Sequence, residues 1–355
     1  ISDKTIKLLS ELVKQERPDF VMIPGDVAYD PIEETFETFI TQLTKCLEDS
    51  HTPWGISFGN HDYANVIKPS YSPQAQMEIY NSFNYCLARD AEPSLPGCSN
   101  YNLPILSSDG KNVAYQLWSL DTKNGGLEYQ QKDWYVDTSK AMKSENGDVL
   151  INSMMFFHIP LPQMTNIYET KDEPGFIGHA GETPCVSGGN TDMFAALKEV
   201  GDVRLVVNAH DHKNDFIGTY DGINMCYTSC IGYQDYRDED MMGARVINLN
   251  EDDLTTFETH MVYAKDLHSE LDHTDVYTAK EDLANNSEDI LDAETPLTSG
   301  QYISSCWNNQ ETPATFEIES EKGFNNSSAY KVTKSATNIG AGSVNSNIRL
   351  FFPEP

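Results

Sequence analysis

The sequence predicts an α/β fold, on two observations. Short apolar runs alternate with segments whose apolar residues have helical spacing, and polar side chains stand where several of the apolar runs stop. The length of 355 residues suits one large domain or two domains. We therefore expect a sheet covered by helices, with a site at its edge.

The first third of the chain contains two predicted helix-to-strand repeats. KTIKLLSELVKQE is predicted to be a helix, and RPDFVMIPGD is a strand that stops at Gly25 and Asp26. IEETFETFITQLTKCLED is the second helix. PWGISFGNHD follows as a short strand that ends at Asn60, His61 and Asp62.

The middle of the chain continues the alternation. NVAYQLWSLD is a predicted strand, YQQKDWYVDTSKAMKS a helix, and DVLINSMMFFHIPL a buried strand whose end carries His158. TDMFAALKEV is a helix that leads into the strand before VVNAHDHKND, which contains His210 and His212. GINMCYTSCIGY, GARVINLN and TTFETHMVY are short β-rich runs with turn residues between them.

Polar residues of metal-binding type therefore follow four predicted strands. Because ligand sites in open α/β sheets form at the carboxyl ends of the strands, we expect these side chains to meet there. Residues i and i+2 of an extended segment face the same side, so both imidazoles of the H-x-H pair can face one metal ion. Taken alone, each residue has an ordinary alternative as a turn residue, a helix cap or a buried histidine. Their recurrence favours a metal site, with Asp26 as a bridging carboxylate.

The composition limits the partners. The chain has 55 acidic and 24 basic residues and a formal net charge of −31. This charge argues against a nucleic-acid-binding surface and against binding to an anionic membrane. A phosphate group would need a local positive charge, such as a metal ion. The sequence contains no apolar run long enough to span a bilayer.

The cysteines and the N-glycosylation sequons bear on the cellular compartment of the protein. Seven cysteines are scattered without C-x-x-C pairs, which disfavours a zinc ribbon. Cys86 with Cys98 and Cys226 with Cys230 could form disulfides, although the sequence does not assign the pairing. Asn285 and Asn325 lie in sequons, which would be glycosylated only in a eukaryotic secretory pathway. The expected location is secreted or at the cell surface.

Four motifs together resemble those of calcineurin-like metallophosphoesterases. They are GD at Gly25 and Asp26, GNHD at Gly59 to Asp62, the lone His158 in FFHIPLP, and AHDH at Ala209 to His212. Within that superfamily the chain looks most like the purple-acid-phosphatase-related branch. The resemblance covers roughly Ile1 to Val262, and it implies a four-layer α-β-β-α sandwich.

The sequence departs from the family pattern in two places. The family's glycine before the last H-x-H is replaced by Asn208 and Ala209. The family's first motif, D-x-H, is absent from the start of the chain, so we expect the opening strand to lie upstream of Ile1. Asp266 to His268 matches D-x-H, but it follows the last motif in an acidic segment, and we interpret it as a chance match.

The resemblance implies two metal ions of the iron, zinc or manganese class. Asp26 would bridge them, Asn60, His158 and His210 would hold one ion, and His212 would hold the other. Tyr29 occupies the place where purple acid phosphatases have an iron-binding phenolate, although it could equally be a packed aromatic.

His61 and Asp62 would be catalytic, His61 by protonating the leaving oxygen and Asp62 by orienting the His61 ring. The metals would lower the pKa of a bound water, which attacks phosphorus as hydroxide.

We expect three segments and a phosphoester substrate. Residues 1–265 would be the metallophosphoesterase domain, 266–299 an acidic linker, and 300–355 a β-rich segment similar to part of a carbohydrate-binding sandwich, with a possible carbohydrate contact. Residues 168–190 are the expected specificity loop, in which His179 and Glu182 could contact substrate or close the loop.

The expected function is acid-phosphatase-like hydrolysis of phosphomonoesters. A phosphodiesterase or nucleotidase, and a non-catalytic extracellular binding protein, are the alternatives.

Overall fold

A computed structural model describes residues 3–28, 33–63, 71–188 and 191–267, together with four strands between residues 302 and 351. The chain divides into two compact units, Ile1–Thr274 and Asp275–Pro355. Almost all of the predicted linker lies outside the described residues, so the predicted domain boundaries stay predictions.

A six-stranded sheet forms the centre of the first unit. Its strand order is β3-β4-β5-β6-β8-β7, in which β4, β5, β6 and β8 are parallel and the two edge strands are antiparallel to their neighbours. The strands are β3 (Tyr101–Leu106), β4 (Val113–Ser119), β5 (Ser153–Phe156), β6 (Val203–Asn208), β7 (Ile217–Tyr220) and β8 (Ile223–Tyr227).

Successive side chains of the central strands enter two different cores. Trp118 and Met155 lie in a core with helices α4 (Tyr129–Glu145), α5 (Gln163–Glu169) and α6 (Met193–Val200). Their neighbours Leu117 and Met154 lie in the core on the other face. The period of two explains why these strands are apolar along their whole length, since both faces are buried.

The second face meets two strand pairs and three helices. β1 (Val21–Ile23) pairs in parallel with β2 (Trp54–Ile56), and β9 (Gly243–Asn248) pairs antiparallel with β10 (Glu258–Tyr263). Helices α1 (Asp3–Glu16) and α2 (Glu33–Asp49) contribute Leu9, Val13 and Ile40 to the same core, and α3 (Pro73–Tyr80) contributes Tyr80. Helices, strand pairs, the six-stranded sheet and a second set of helices give the expected sandwich architecture.

Three short 3-10 turns occur among the described residues of the first unit: His61–Tyr63, Glu239–Met241 and Ala264–Asp266. In the second unit, β11 (Tyr302–Cys306) pairs with β14 (Asn347–Phe351), and β12 (Thr315–Glu319) pairs with β13 (Ala329–Thr333), both antiparallel. The β-rich character predicted for this segment is confirmed, and its carbohydrate contact stays a prediction.

The described residues bear on the disulfides and on membrane-spanning helices. The six described cysteines are free thiols, so neither Cys86 with Cys98 nor Cys226 with Cys230 is bonded. Among the described helices, none combines the length and the apolar character that a membrane crossing needs.

Candidate metal centre

The predicted ligands follow two pairs of parallel strands, β1 with β2 and β5 with β6. Ile23 of β1 pairs with Ile56 of β2, and Phe156 of β5 pairs with Val207 of β6. Asp26, Asn60, His158 and His210 each lie two to four residues beyond the end of their strand. The two pairs belong to different sheets, and the contact between Asp26 and His158 shows that the carboxyl ends of both pairs meet.

Asp26, His158 and His210 converge on one point. Their ligand atoms all lie within 4.8 Å of one another, and they are the group that the described residues offer for a metal ion. Asp26 Oδ2 lies 2.9 Å from His158 Nε2, and His158 Nε2 lies 3.2 Å from His210 Nδ1. The fold thus brings together ligands that are distant in the chain, since His158 lies 132 positions after Asp26 and 52 positions before His210.

The His158 ring is oriented by the backbone. Its Nδ1 lies 2.8 Å from the carbonyl oxygen of Pro24. A carbonyl only accepts, so Nδ1 carries the proton and donates, and Nε2 faces Asp26 and His210. In the neutral ring Nε2 has a lone pair that points at the Asp26 carboxylate. A cation between the two groups would bind both.

Burial and neighbouring charges act in opposite directions on the pKa values of Asp26 and His158, and in the same direction on that of His210. Burial opposes ionisation of Asp26, but the His158 ring outweighs it and holds the pKa of Asp26 below its usual range. Burial likewise disfavours a charged His158, yet the Asp26 carboxylate raises the pKa of His158. Burial and the neighbouring His158 lower the pKa of His210 to about 4, so His210 is a neutral imidazole near neutral pH.

Asn60 offers a further ligand. Its side-chain Oδ1 is buried and has no hydrogen-bond partner. A buried carbonyl oxygen without a partner is costly, on the order of 1–3 kcal/mol. A metal ion held by Asp26, His158 and His210 beside this loop would supply the missing partner, so the donor set fits a metal.

Two glycines allow the loops after β1 and β2 to touch. A Cβ on Gly59 would lie 2.7 Å from His158 Cγ, and a Cβ on Gly25 would lie 2.8 Å from the same atom. Gly25 also has a φ of +101°, which L side chains rarely adopt. The glycines in the GD and GNHD motifs are therefore required by the close approach of backbone to the His158 ring.

Asp62 holds these two loops together. Its Oδ2 accepts hydrogen bonds from the backbone N–H groups of Asp26 and Gly59, and its Oδ1 accepts them from Val27 and Ala28. Burial and the nearby Asp26 carboxylate raise the pKa of Asp62 to about 7. This is a positioning role, and the predicted contact of Asp62 with the His61 ring stays a prediction.

A backbone hydrogen bond places His61 beside the group of Asp26, His158 and His210. Its N–H donates to Asp26 Oδ1 at 2.8 Å, and its side chain lines a cleft of about 1470 Å³ that also contains Asp26, His158 and His210. The site accordingly opens into a cavity large enough for a small ester.

His212 is placed differently from His210. It is not part of the three-residue group, and its Nδ1 donates to the carbonyl of Tyr236 at 2.9 Å. Burial opposes the charged ring, but contacts with Cys230 and Asp235 raise the pKa of His212 to about 9. Its assignment to a second metal stays a prediction, and Tyr29 lies outside the described residues.

The expected specificity loop is fastened to the H-x-H segment by hydrogen bonds. The backbone N–H of His179 donates to Asp215 Oδ1 at 2.6 Å, and Glu182 Oε1 accepts the N–H of Lys213 at 2.7 Å. Asp211, between the two histidines, accepts the N–H of Cys185. Glu182 therefore closes the loop in this structure.

Sequence reasoning missed two contributors to the site. Asp121 follows β4 as Asp26 follows β1, so the same strand-end signal marks it. Its Oδ2 accepts hydrogen bonds from Tyr63 Oη and from the N–H of Cys98. Asn208, which replaces the family's glycine, donates from Nδ2 to the carbonyl of Phe157 and so ties the end of β6 to the end of β5 beside His158.

Comparison with known proteins identifies related chains. The family model described as Calcineurin-like phosphoesterase matches residues 2–214. "Probable inactive purple acid phosphatase 14" of Arabidopsis thaliana is 28% identical over 65% of this chain and 63% of its own length. "Probable inactive purple acid phosphatase 29" of the same plant is 25% identical over 65% and 64%. "Phosphatase DCR2" of Saccharomyces cerevisiae is 28% identical over 63% and 42%.

The matched regions are partial. The chain spans a little under two thirds of the length of the two plant relatives. A crystal structure titled as a dimetal phosphatase from Danio rerio aligns over 73% of this chain and 83% of its own, with a TM-score of 0.45 and 12% identity.

Proposed function

Because this chain belongs to the calcineurin-like phosphoesterase family, we propose that it is a metal-dependent phosphomonoesterase with a dinuclear centre at the carboxyl ends of β1, β2, β5 and β6. The observation that carries the proposal is the convergence of Asp26, His158 and His210 within 4.8 Å, beside the unpartnered oxygen of Asn60. Iron, zinc or manganese ions, when bound, supply Lewis-acid chemistry that polarises a phosphoryl group and lowers the pKa of water.

The predicted ligands have different roles in binding the two metal ions. Asp26 lies between the loop of Asn60 and the two histidines, a position suited to a bridging carboxylate. The hydrogen bond to Pro24 turns Nε2 of His158 towards the proposed cation, and His210, which is neutral near pH 7, can bind a cation without losing a proton. We assign His212 to the second ion.

His61 is the proposed proton donor to the leaving oxygen. Its backbone bond to Asp26 Oδ1 fixes the start of the turn that carries it, and the bond between Tyr63 and Asp121 fixes the end of that turn. A donor on a turn held at both ends keeps its ring at the cleft with little rearrangement.

A non-catalytic binding protein on the same fold is the second candidate. It is favoured by one observation, the word "inactive" in the names of the two plant relatives. The name of the yeast relative, a phosphatase, supports the enzyme. The residues that would bind a metal are present in this chain, which is why the enzyme is the first proposal.

The deciding experiment is hydrolysis of an aryl phosphomonoester by the protein loaded with Fe, Zn or Mn, from acidic to neutral pH. A diaryl phosphodiester is assayed beside it, because a diesterase would prefer the latter. Activity should disappear in His210→Ala and persist in His51→Asn, which changes an exposed histidine at the end of α2. Metal binding without turnover of either ester would favour the binding protein.

A further inference from the structure

We propose that Cys230 binds the second metal ion together with His212, through its thiolate sulfur, and that this ion is zinc. The inference rests on the proposed function, which assigns His212 to that ion. Cys230 lies in none of the motifs that mark the other ligands in the sequence, and only its place in the fold and its contact with His212 point to this role.

Cys230 follows a strand that lies beside the strand of the histidines. β8 pairs in parallel with β6 in the central sheet. Cys230 lies three residues after the end of β8, and His212 lies four residues after the end of β6. Neighbouring parallel strands end at the same edge of a sheet, so the topology that positions His212 also positions Cys230. Both residues line the cleft that contains Asp26.

The Cys230 thiol is in direct contact with the His212 ring. The two side chains form a hydrogen bond, and the Cys230 sulfur also accepts the backbone N–H of Gly232 at 3.2 Å. The thiol is free of any disulfide, and the Cys230 carbonyl accepts the N–H of Gly243 at the start of β9. The loop therefore holds a free sulfur beside a predicted ligand, with a backbone dipole that favours negative charge on the sulfur.

The His212 ring is fixed on its other side. Its Nδ1 donates to the carbonyl of Tyr236 at 2.9 Å, and the Tyr236 ring stacks on it with centroids 4.2 Å apart and planes that differ by 3°. With the proton on Nδ1, the lone pair of the neutral ring is on Nε2, as in His158.

A hydrogen-bonded imidazole and thiol are the metal-free form of two metal ligands. The hydrogen bond between His212 and Cys230 holds a proton, and a cation can take its place. Binding then releases the proton to solvent, and the lone pairs of the Cys230 sulfur and the His212 nitrogen bind the ion.

The sulfur decides which metal is favoured. Thiolate is a soft ligand that selects zinc, whereas carboxylate and water ligands suit manganese. Together with the proposed bridging carboxylate of Asp26, His212 and Cys230 give three protein ligands from the described residues. Catalytic zinc sites have this number of protein ligands and keep one position for water or substrate.

Absorption spectroscopy of the cobalt(II)-loaded protein tests the bond between sulfur and metal without an activity assay. Cobalt(II) substitutes for zinc, and a thiolate bound to it gives a sulfur-to-metal charge-transfer band in the near ultraviolet that nitrogen and oxygen ligands do not give. The wild-type protein should show this band, and Cys230→Ser should lose it. Cys46→Ser is the matched control and should keep it, because Cys46 is also a half-buried free thiol but lies on α2.

The zinc preference is tested by competition between Zn²⁺ and Mn²⁺. In Cys230→Ser the ratio of zinc to manganese affinity at the second site should fall at least about tenfold, since loss of even an outer-shell partner costs that much. Cys46→Ser should leave the ratio unchanged. An unchanged ratio in Cys230→Ser would overturn the assignment of zinc.

The possible spectra separate this inference from the proposed function. Cobalt binding without the band in the wild-type protein, or a band that persists in Cys230→Ser, overturns the thiolate ligand while the proposed phosphoesterase stands. A band that depends on Cys230 in a protein that hydrolyses neither ester supports the ligand and overturns the proposed function. Failure of the wild-type protein to bind cobalt overturns the metal centre, and the Cys230 ligand with it.

Discussion

The hydroxyl of Tyr63 donates a 2.6 Å hydrogen bond to Oδ2 of Asp121, and this bond connects the turn that begins with His61 to the end of β4. The Asp121 carboxylate also accepts the N–H groups of Cys98 and Lys123. Three loops at the sheet edge therefore meet on one buried carboxylate.

Asp121 should make stability depend on pH. Burial raises the pKa of Asp121 to about 6 in the folded protein, above the ordinary value of 3.8. The native state then holds its proton more tightly than the unfolded state, so the stabilisation is complete below about pH 3.8 and is lost as the pH rises through 6. The loss is on the order of 2–3 kcal/mol.

Urea unfolding between pH 4 and pH 7.5 measures this effect. Asp121→Asn cannot titrate, so its unfolding free energy should change less over that range than that of the wild-type protein, whatever its absolute stability. Equal changes in the two proteins would mean that Asp121 does not carry the dependence.

Gly59→Ala should damage the centre by forcing two loops apart. The new methyl group would lie 2.7 Å from His158 Cγ, so the backbone or the ring must shift. We expect a loss of about 1–3 kcal/mol in unfolding free energy, as for an overpacked core, together with weaker metal binding. Gly125→Ala is the control, because no atom lies within 4 Å of its Cβ position. If thermal unfolding of the two variants is the same, the contact is not required.

Asn60→Ala should have opposite effects with and without metal. Without metal, the substitution removes a buried oxygen that has no partner, so the unfolding free energy should be unchanged or higher. With metal, it removes a proposed ligand, and the affinity for Zn²⁺ or Mn²⁺ should fall at least about tenfold. Calorimetric titration and thermal unfolding of the metal-free protein give the two readouts. An unchanged metal affinity would remove Asn60 from the ligand set.

His61→Ala should separate catalysis from metal binding. Because His61 is proposed as a proton donor and not as a ligand, turnover should fall by about 10²- to 10⁴-fold while the metal content stays the same. His210→Ala should lose both. The comparison needs the metal content by mass spectrometry and the initial rate of aryl phosphate hydrolysis. Parallel loss of metal and rate in His61→Ala would make His61 a ligand.

The sequence determined the elements of this protein and the positions of its ligands along the chain. Helical and strand periods differ, so the order of helices and strands could be predicted from the alternation of apolar runs, and the polar residues after β1, β2, β5 and β6 marked the carboxyl ends of these strands as the place of the site. The motifs GD, GNHD, His158 and AHDH pointed to the family in the same way, because their spacing follows the strands. These are local properties, which a single sequence displays.

The tertiary structure decided which loops touch. Several contacts join residues from different loops: the hydrogen bonds from the backbone N–H groups of Asp26, Val27 and Ala28 to Asp62, the hydrogen bond between Tyr63 and Asp121, and the Tyr236 ring on His212. No sequence period links such residues, because irregular loops take their positions from the packing of the sheet and helices beneath them. The sequence named Asp62 but could not show that its carboxylate faces four backbone amides, since that depends on the loops after β1 and β2 being folded against each other.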